Sequence, residues 1–119
     1  MKIRNLFYTS IVLSFFACNT NTTNSLESKD FSVKVIVDYG EAKSLREECI
    51  ISNHPLTALE SLQYVSVVET HPVKEYVFVS SIDSVHTIIG VNAWYYKVNG
   101  ESPGVLAINN TLNNGDTLK

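Results

Sequence analysis

The stretch that decides the fold is Trp94-Tyr95-Tyr96-Lys97-Val98-Asn99-Gly100-Glu101. Its aromatic and β-branched residues favour a strand over residues 94–98. Asn99-Gly100 is the preferred signal for a two-residue type I′ hairpin turn, because both turn positions adopt positive φ. A second tight turn is predicted at Asn113-Asn114-Gly115-Asp116, followed by a last short strand at Thr117-Leu118-Lys119.

The clearest strand upstream lies at residues 31–37. Phe31, Val33, Val35 and Val37 alternate with less apolar neighbours, which is the period of a half-buried strand. A shorter strand at residues 49–52 is expected to return beside it as a hairpin partner.

One helix is predicted over residues 56–62, because leucines at 56, 59 and 62 recur at a three-residue spacing and form one apolar stripe. Pro55 suits the first helical turn, and Asn53 or His54 suits the capping position. Residues 64–68 and 76–79 are predicted as further strands, separated by a turn at residues 69–75. The fold class is therefore α+β, a mostly antiparallel sheet of five to seven short strands packed on one helix.

These residues resemble a known family. The aromatic strand ending in Val-Asn-Gly-Glu, the later Gly115-Asp116-Thr117 and the Ile82-Asp83-x-Val85 step look like the transcobalamin C-terminal-like β-grasp domain. The resemblance covers residues 31–119 and implies a β-grasp-like sheet. Ser84 departs from the pattern, since glycine is usual after Ile-Asp. Bacterial forms are exported, lipid-anchored and often of unknown function, whereas the related animal domain belongs to cobalamin carriers.

The N-terminus has the pattern of a secretory signal. Lys2 and Arg4 precede an uncharged apolar run over residues 6–16, which at about eleven residues is shorter than the roughly twenty that span a bilayer. Ala17-Cys18 resembles the lipobox of bacterial lipoproteins, so residues 1–17 are expected to be a lipoprotein signal peptide and Cys18 the lipidated residue. The alternative is an ordinary secretory signal with a chance cysteine. The expected location is the cell envelope, with a lipid anchor on a bacterial membrane.

Residues 18–30 comprise the lipidated cysteine and a flexible tether, since this polar stretch can bury little apolar surface. The domain proper is residues 31–119. Without Lys2 and Arg4, seven basic residues remain against twelve acidic ones, a net charge of −5. This charge argues against nucleic acid as a partner. Cys49 is expected to be a small buried hydrophobic residue and not a reactive thiolate, because Glu47 and Glu48 disfavour a thiolate.

No enzyme template fits the sequence. It lacks a glycine-rich phosphate loop and a nucleophile elbow, so we expect no catalytic residue and no bound cofactor other than cobalamin as a possible ligand. The three histidines, His54, His71 and His86, lack the spacing of a metal site, so no metal is predicted. The carboxylates of Asp83, Glu101 and Asp116 lie at turns, where they are expected to accept backbone N–H bonds.

The candidate ligand-binding residues are aromatic and polar: Trp94, Tyr95, Tyr96, Asn99, Ser80 and Ser81. The last three are expected to contribute backbone polar groups from loops at Ser80-Ser81 and Asn99-Gly100 as a polar rim. Strand alternation places Trp94, Tyr96 and Val98 on one face and Tyr95 on the other, so one aromatic set belongs to the core and the other is exposed or covers a ligand. The favoured function is a lipid-anchored module that binds cobalamin or another corrinoid, weakly or within a larger transport assembly. The alternative is a protein–protein interaction or structural module at the cell envelope.

Overall fold

The structure is a computed structural model that describes residues 30–119. The predicted signal peptide, the lipidated Cys18 and the tether up to residue 29 lie outside the described residues. The elements follow in the order β1 (Phe31–Val37), β2 (Arg46–Ser52), α1 (Ala58–Val65), β3 (Val68–Val73), β4 (Tyr76–Ile82), β5 (Val85–His86), a 3-10 turn (Ala107–Asn109) and β6 (Thr117–Leu118).

The first sheet has the order β2-β1-β6. β1 and β2 pair antiparallel over their whole length, from Phe31 opposite Ser52 to Val37 opposite Arg46. β6 pairs parallel to β1, with Thr117 opposite Lys34. The predicted alternation is confirmed, because every odd position of β1 from Phe31 to Val37 is buried and every even position is half-buried.

Helix α1 begins two residues later than the leucine pattern predicts. Its N-cap is Thr57, not Asn53 or His54, and the Thr57 hydroxyl accepts the Glu60 N–H at 3.1 Å. The Glu60 carboxylate in turn accepts the Thr57 N–H, which completes a capping box. Leu56 precedes the helix and is fully buried. The predicted strand at residues 64–68 is wrong, because Val65 is buried on the helix and this packing outweighs its strand propensity.

The second sheet has the order β3-β4-β5 and is antiparallel throughout. The predicted turn at residues 69–75 is also wrong, because β3 occupies most of it and only Lys74 and Glu75 form the turn. β3 is an edge strand that is almost entirely exposed. Because an edge strand tolerates polar residues and proline, β3 can contain Pro72 and has the composition of a loop.

The C-terminal segment keeps its predicted turns but loses a predicted strand. Residues 93–97 belong to no strand. Asn99 and Gly100 have φ of 52° and 82°, and Val98 and Glu101 exchange backbone hydrogen bonds across them, as a type I′ turn requires. The turn before β6 is confirmed as well, with Gly115 at φ 86°.

The fold is α+β, and its strands form two three-stranded sheets where one sheet was predicted. A single core cluster joins the inner face of β1, the helix and the second sheet; among its members are Val33, Val35, Leu56, Ala58, Ile82 and Leu118. Trp94, Tyr96 and Val98 pack against this cluster from the C-terminal segment.

Candidate functional site

A large groove lies between the two sheets. Its volume is about 1130 Å³, and three parts of the chain form its walls. The end of β1 with the inner face of α1 forms one wall, Val77, Phe78 and Val79 of β4 form the second, and residues 92–97 with 102–108 form the third. Several lining side chains remain half exposed, including Phe78 at 46% and Val105 at 51%, so the groove is open to solvent.

Trp94 and Tyr96 are fixed in the third wall. The Trp94 indole N–H donates to the Val85 carbonyl at 2.9 Å, and its ring meets the Tyr39 ring edge-on, with centroids 6.0 Å apart. The Tyr96 hydroxyl donates to the Val105 carbonyl. Both rings pack against the core, as the alternation predicts for two of the three aromatics.

Tyr95 points the other way. Its side chain is 86% exposed, yet it still contributes to the lining of the groove. The Tyr95 ring is not part of the core, so it can contact a ligand at the rim of the groove.

The three polar candidates lie outside the groove lining. Asn99 joins two turns, because its amide donates to Asp116 at 2.9 Å and its carbonyl oxygen accepts the Thr117 N–H at 2.9 Å. Ser81 is fully buried, and the Ser80 hydroxyl donates to the Glu69 carbonyl at 3.1 Å. Both serines lie on β4 and not in a loop. The carboxylates and ammonium groups that line the groove belong to Asp38, Glu41, Lys97 and Lys119, and His86, Thr87, Asn92 and Ser102 are also in its lining.

A polar contact joins the two sheets next to the groove, which Tyr39 also lines. The Tyr39 hydroxyl, just beyond β1, donates to the Asp83 carboxylate in the turn between β4 and β5. The same carboxylate accepts the Val67 N–H at 2.8 Å and lies 3.5 Å from the Arg46 guanidinium of β2. The Lys43 ammonium donates to the Asp83 carbonyl and lies 5.5 Å from the Tyr39 ring centroid. We call these four residues, Tyr39, Lys43, Arg46 and Asp83, the sheet bridge.

The contacts of the sheet bridge shift the pKa values of Tyr39 and Asp83. Burial raises the pKa of Tyr39, and the hydrogen bond to the negative Asp83 raises it further. Burial alone would raise the pKa of Asp83, but the hydrogen bonds from Tyr39 and the Val67 N–H, with the charge of Arg46, outweigh it. The pKa of Asp83 therefore lies below its ordinary value. Sequence patterns do not reveal this contact, because Tyr39 and Asp83 are 44 positions apart.

The other chemical expectations concern single residues. The turn carboxylates of Asp83 and Asp116 each accept a backbone N–H, from Val67 and Asn113 at 2.8 Å, as predicted.

Within residues 30–119 no three His, Cys, Asp or Glu side chains are grouped to hold a metal ion. The expectation that Cys49 is buried is wrong, because this residue is exposed on β2. The strand alternation places Ile50 inward and leaves Cys49 outside.

Among the described residues, no helix has both the length and the apolar character needed to cross a bilayer. The fold and the groove together define a small α+β domain with a large, mostly apolar groove between two three-stranded sheets.

Comparison with known families places the chain more closely. It belongs to the family described as Domain of unknown function (DUF4430), whose model matches residues 56–119, more than half of the chain. The matched part contains the helix, the second sheet, the aromatic segment and β6. No curated protein and no solved structure matches the chain.

Proposed function

We propose that this protein is an exported, lipid-anchored binding module whose groove takes one bulky and largely apolar ligand. The observation that carries the proposal is the groove itself. Ligand pockets commonly measure about 300–1,000 Å³, so a groove of about 1130 Å³ is large enough for a ligand at the upper end of that range.

Cobalamin or another corrinoid is the ligand we propose, on the strength of the resemblance to transcobalamin-like domains. A corrinoid is a broad plate with amide side chains at its edge. The groove offers apolar walls from Val77, Val79 and Leu106 to the face of such a plate, with charged groups such as Asp38 and Lys97 at its margins. The Tyr95 ring at the rim would extend the apolar contact.

The affinity is expected to be modest. In the animal carriers that share this kind of domain, cobalamin is held against a larger helical domain as well, so one open groove supplies only part of the burial. Binding must also offset the lost translational and rotational freedom of the ligand. We expect a Kd in the micromolar range or weaker, about 8 kcal/mol at best. A partner within a larger transport assembly would supply the remaining contacts.

Titration calorimetry of the full chain in phosphatidylcholine vesicles, with empty vesicles as the blank, tests this proposal. Replacing the rim residue Tyr95 by Ala should weaken cobalamin binding about tenfold, about 1.4 kcal/mol. Tyr64→Ala is the matched control, because Tyr64 is also exposed, at 60%, but does not line the groove. Equal effects of the two substitutions would show that cobalamin does not bind in the groove.

A further inference from the structure

β4 has one edge that is only partly paired. β3 covers one side of β4 along its whole length, but β5 pairs only with Ser81 and Ile82 on the other side. The last contact there is the Thr87 N–H, which donates to the Ser80 carbonyl at 2.8 Å. Before Ser80, no described strand lies beside this edge of β4.

The backbone groups at this open edge can be assigned from the hairpin geometry. Val73 and Tyr76 face each other across the two-residue turn between β3 and β4. The residues that flank such a turn form a hydrogen-bonded pair, so Tyr76 and, two positions on, Phe78 direct their backbone groups towards β3. Val77 and Val79 therefore direct their N–H and C=O groups towards the open edge, and both residues line the groove.

Three other strand edges of the described domain, those of β2, β3 and β6, are protected against pairing. β2 carries three consecutive charged residues, Arg46 to Glu48, and β3 carries Glu69, Pro72 and a register shift after Glu69. The free side of β6 is covered by the residues just before the Asn99-Gly100 turn, since Lys97 and Lys119 exchange two backbone hydrogen bonds. Charges, proline and bulges are the usual means of keeping an edge strand from pairing. β4 has no charged residue and no proline between Tyr76 and Ile82.

We propose that the open edge of β4 binds an extended, apolar segment of a partner protein as an added strand. This inference goes beyond the proposed corrinoid function and does not depend on it; because Val77 and Val79 line the groove in both proposals, the strand and the corrinoid would compete for it. An unpaired edge in strand conformation is complemented by another extended backbone. The edge lies in a groove that Trp94 and Val105 also line, so a single chain fits there more readily than a folded domain. The groove walls are mainly apolar, which favours apolar side chains on the added strand, and the acidic excess of the whole chain favours basic residues in the partner beyond the groove.

The test uses blocked heptapeptides with a lysine at each end, threonine at positions three and five, and Val, Ile, Phe or Tyr at the remaining positions. Calorimetry on the full chain in phosphatidylcholine vesicles measures their binding, with empty vesicles as the blank. The control is each binding peptide with all internal amides N-methylated, which keeps the side chains and removes the strand hydrogen bonds. We expect N-methylation to weaken binding at least tenfold.

Val77→Pro provides the matching change on the protein, because it removes an N–H from the open edge and leaves the pairing with β3 in place. It should weaken peptide binding at least fivefold, whereas the exposed helix substitution Tyr64→Ala should not. If Val77→Pro does not fold, the N-methylated peptides on the natural chain decide the question alone. Equal binding of the N-methylated and parent peptides, or no binding by any peptide at about 1 mM, would overturn the proposal, and neither result depends on cobalamin.

Discussion

At the scale of single residues, the turn between β4 and β5 is the most informative place. Asp83 and Ser84 have φ of 47° and 69°, so both lie in the left-handed region. Aspartate tolerates that region, and Asp83 is also held there by the sheet bridge. Serine has no comparable compensation, which explains why glycine is usual at this step in the domains that this sequence resembles.

Ser84→Gly should therefore stabilise the domain. Removing the side chain relieves a left-handed conformation that costs about 1–2 kcal/mol in an L-residue, while the more flexible unfolded chain offsets about 0.4–1 kcal/mol of that gain. We expect a net increase of about 0.5–1 kcal/mol in the free energy of unfolding, measured by urea denaturation. Ser84→Ala should give no such increase, and equal stability of the glycine and alanine variants would contradict a strained Ser84.

Asp83 also makes the stability of the domain depend on pH. The pKa of its carboxyl is lower in the folded chain than in the unfolded chain, so the unfolded chain binds more protons in the interval between the two values. The stabilisation is fully present above the unfolded pKa of about 3.9 and is lost as pH falls through the lower folded value.

Asp83→Asn should accordingly destabilise the domain at pH 7, and the difference from the natural chain should shrink at about pH 3. Denaturation midpoints at the two pH values measure this. Glu75→Gln, at an exposed acidic residue of the turn between β3 and β4, serves as the control and should leave both midpoints nearly unchanged. A difference between Asp83→Asn and the natural chain that is the same at both pH values would show that the ionised carboxylate does not stabilise the sheet bridge.

At the scale of elements, sequence patterns predicted correctly the strand and turns whose conformation depends on neighbouring residues alone. The buried alternation of β1 and the turns at Asn99-Gly100 and before β6 follow directly from residue type. The same signals failed where distant contacts decide. Val65 is buried on a helix despite its strand propensity, and residues 94–97 remain outside any strand although their composition favours one. There, Trp94 and Tyr96 are held by hydrogen bonds to Val85 and Val105 instead of by a strand partner.

The Asn99-Gly100 turn provides a direct test at this scale. Gly100→Val should destabilise the domain by more than about 1 kcal/mol, because a β-branched residue resists the φ of 82° at this position. Gly104→Val is the matched control, since Gly104 is not among the glycines with positive φ and an added Cβ there meets no atom within 4 Å. Thermal or urea unfolding of the two variants measures the difference. Similar losses in both would mean that the type I′ turn is not needed.

At the scale of the whole molecule, the candidate site could be predicted only in part. Strand alternation identified Trp94, Tyr95 and Tyr96, and the structure places all three in the lining of one groove. The lining residues Tyr39, Phe78, Val105 and Ile108 could not be found in this way. They come together only because the second sheet packs beside β1, an arrangement that no local pattern encodes. Asn99, Ser80 and Ser81 were predicted from expected loops; the side chains of Asn99 and Ser80 make hydrogen bonds within the fold, and Ser81 is buried.

Membrane anchoring is a prediction about the whole chain that rests on residues 1–18. Cys18→Ser should move the protein from the membrane fraction to the soluble fraction and abolish labelling with a palmitate analogue. Cys49→Ser, at the only other cysteine, should leave the protein in the membrane fraction with its label. A natural chain that is soluble and unlabelled would refute the lipobox interpretation.

The central claim is that the groove between the two sheets binds a corrinoid, and the fluorescence of Trp94 tests it most directly. Trp94 is the single tryptophan of the chain and lines the groove. Titration of the full chain in phosphatidylcholine vesicles with cobalamin should quench its emission in a saturable way, with a midpoint in the micromolar range or weaker. N-acetyltryptophanamide in the same vesicles corrects for absorption by the ligand. No saturable quenching up to about 500 μM, where even a weak complex of about 4.5 kcal/mol would be half formed, would contradict the account.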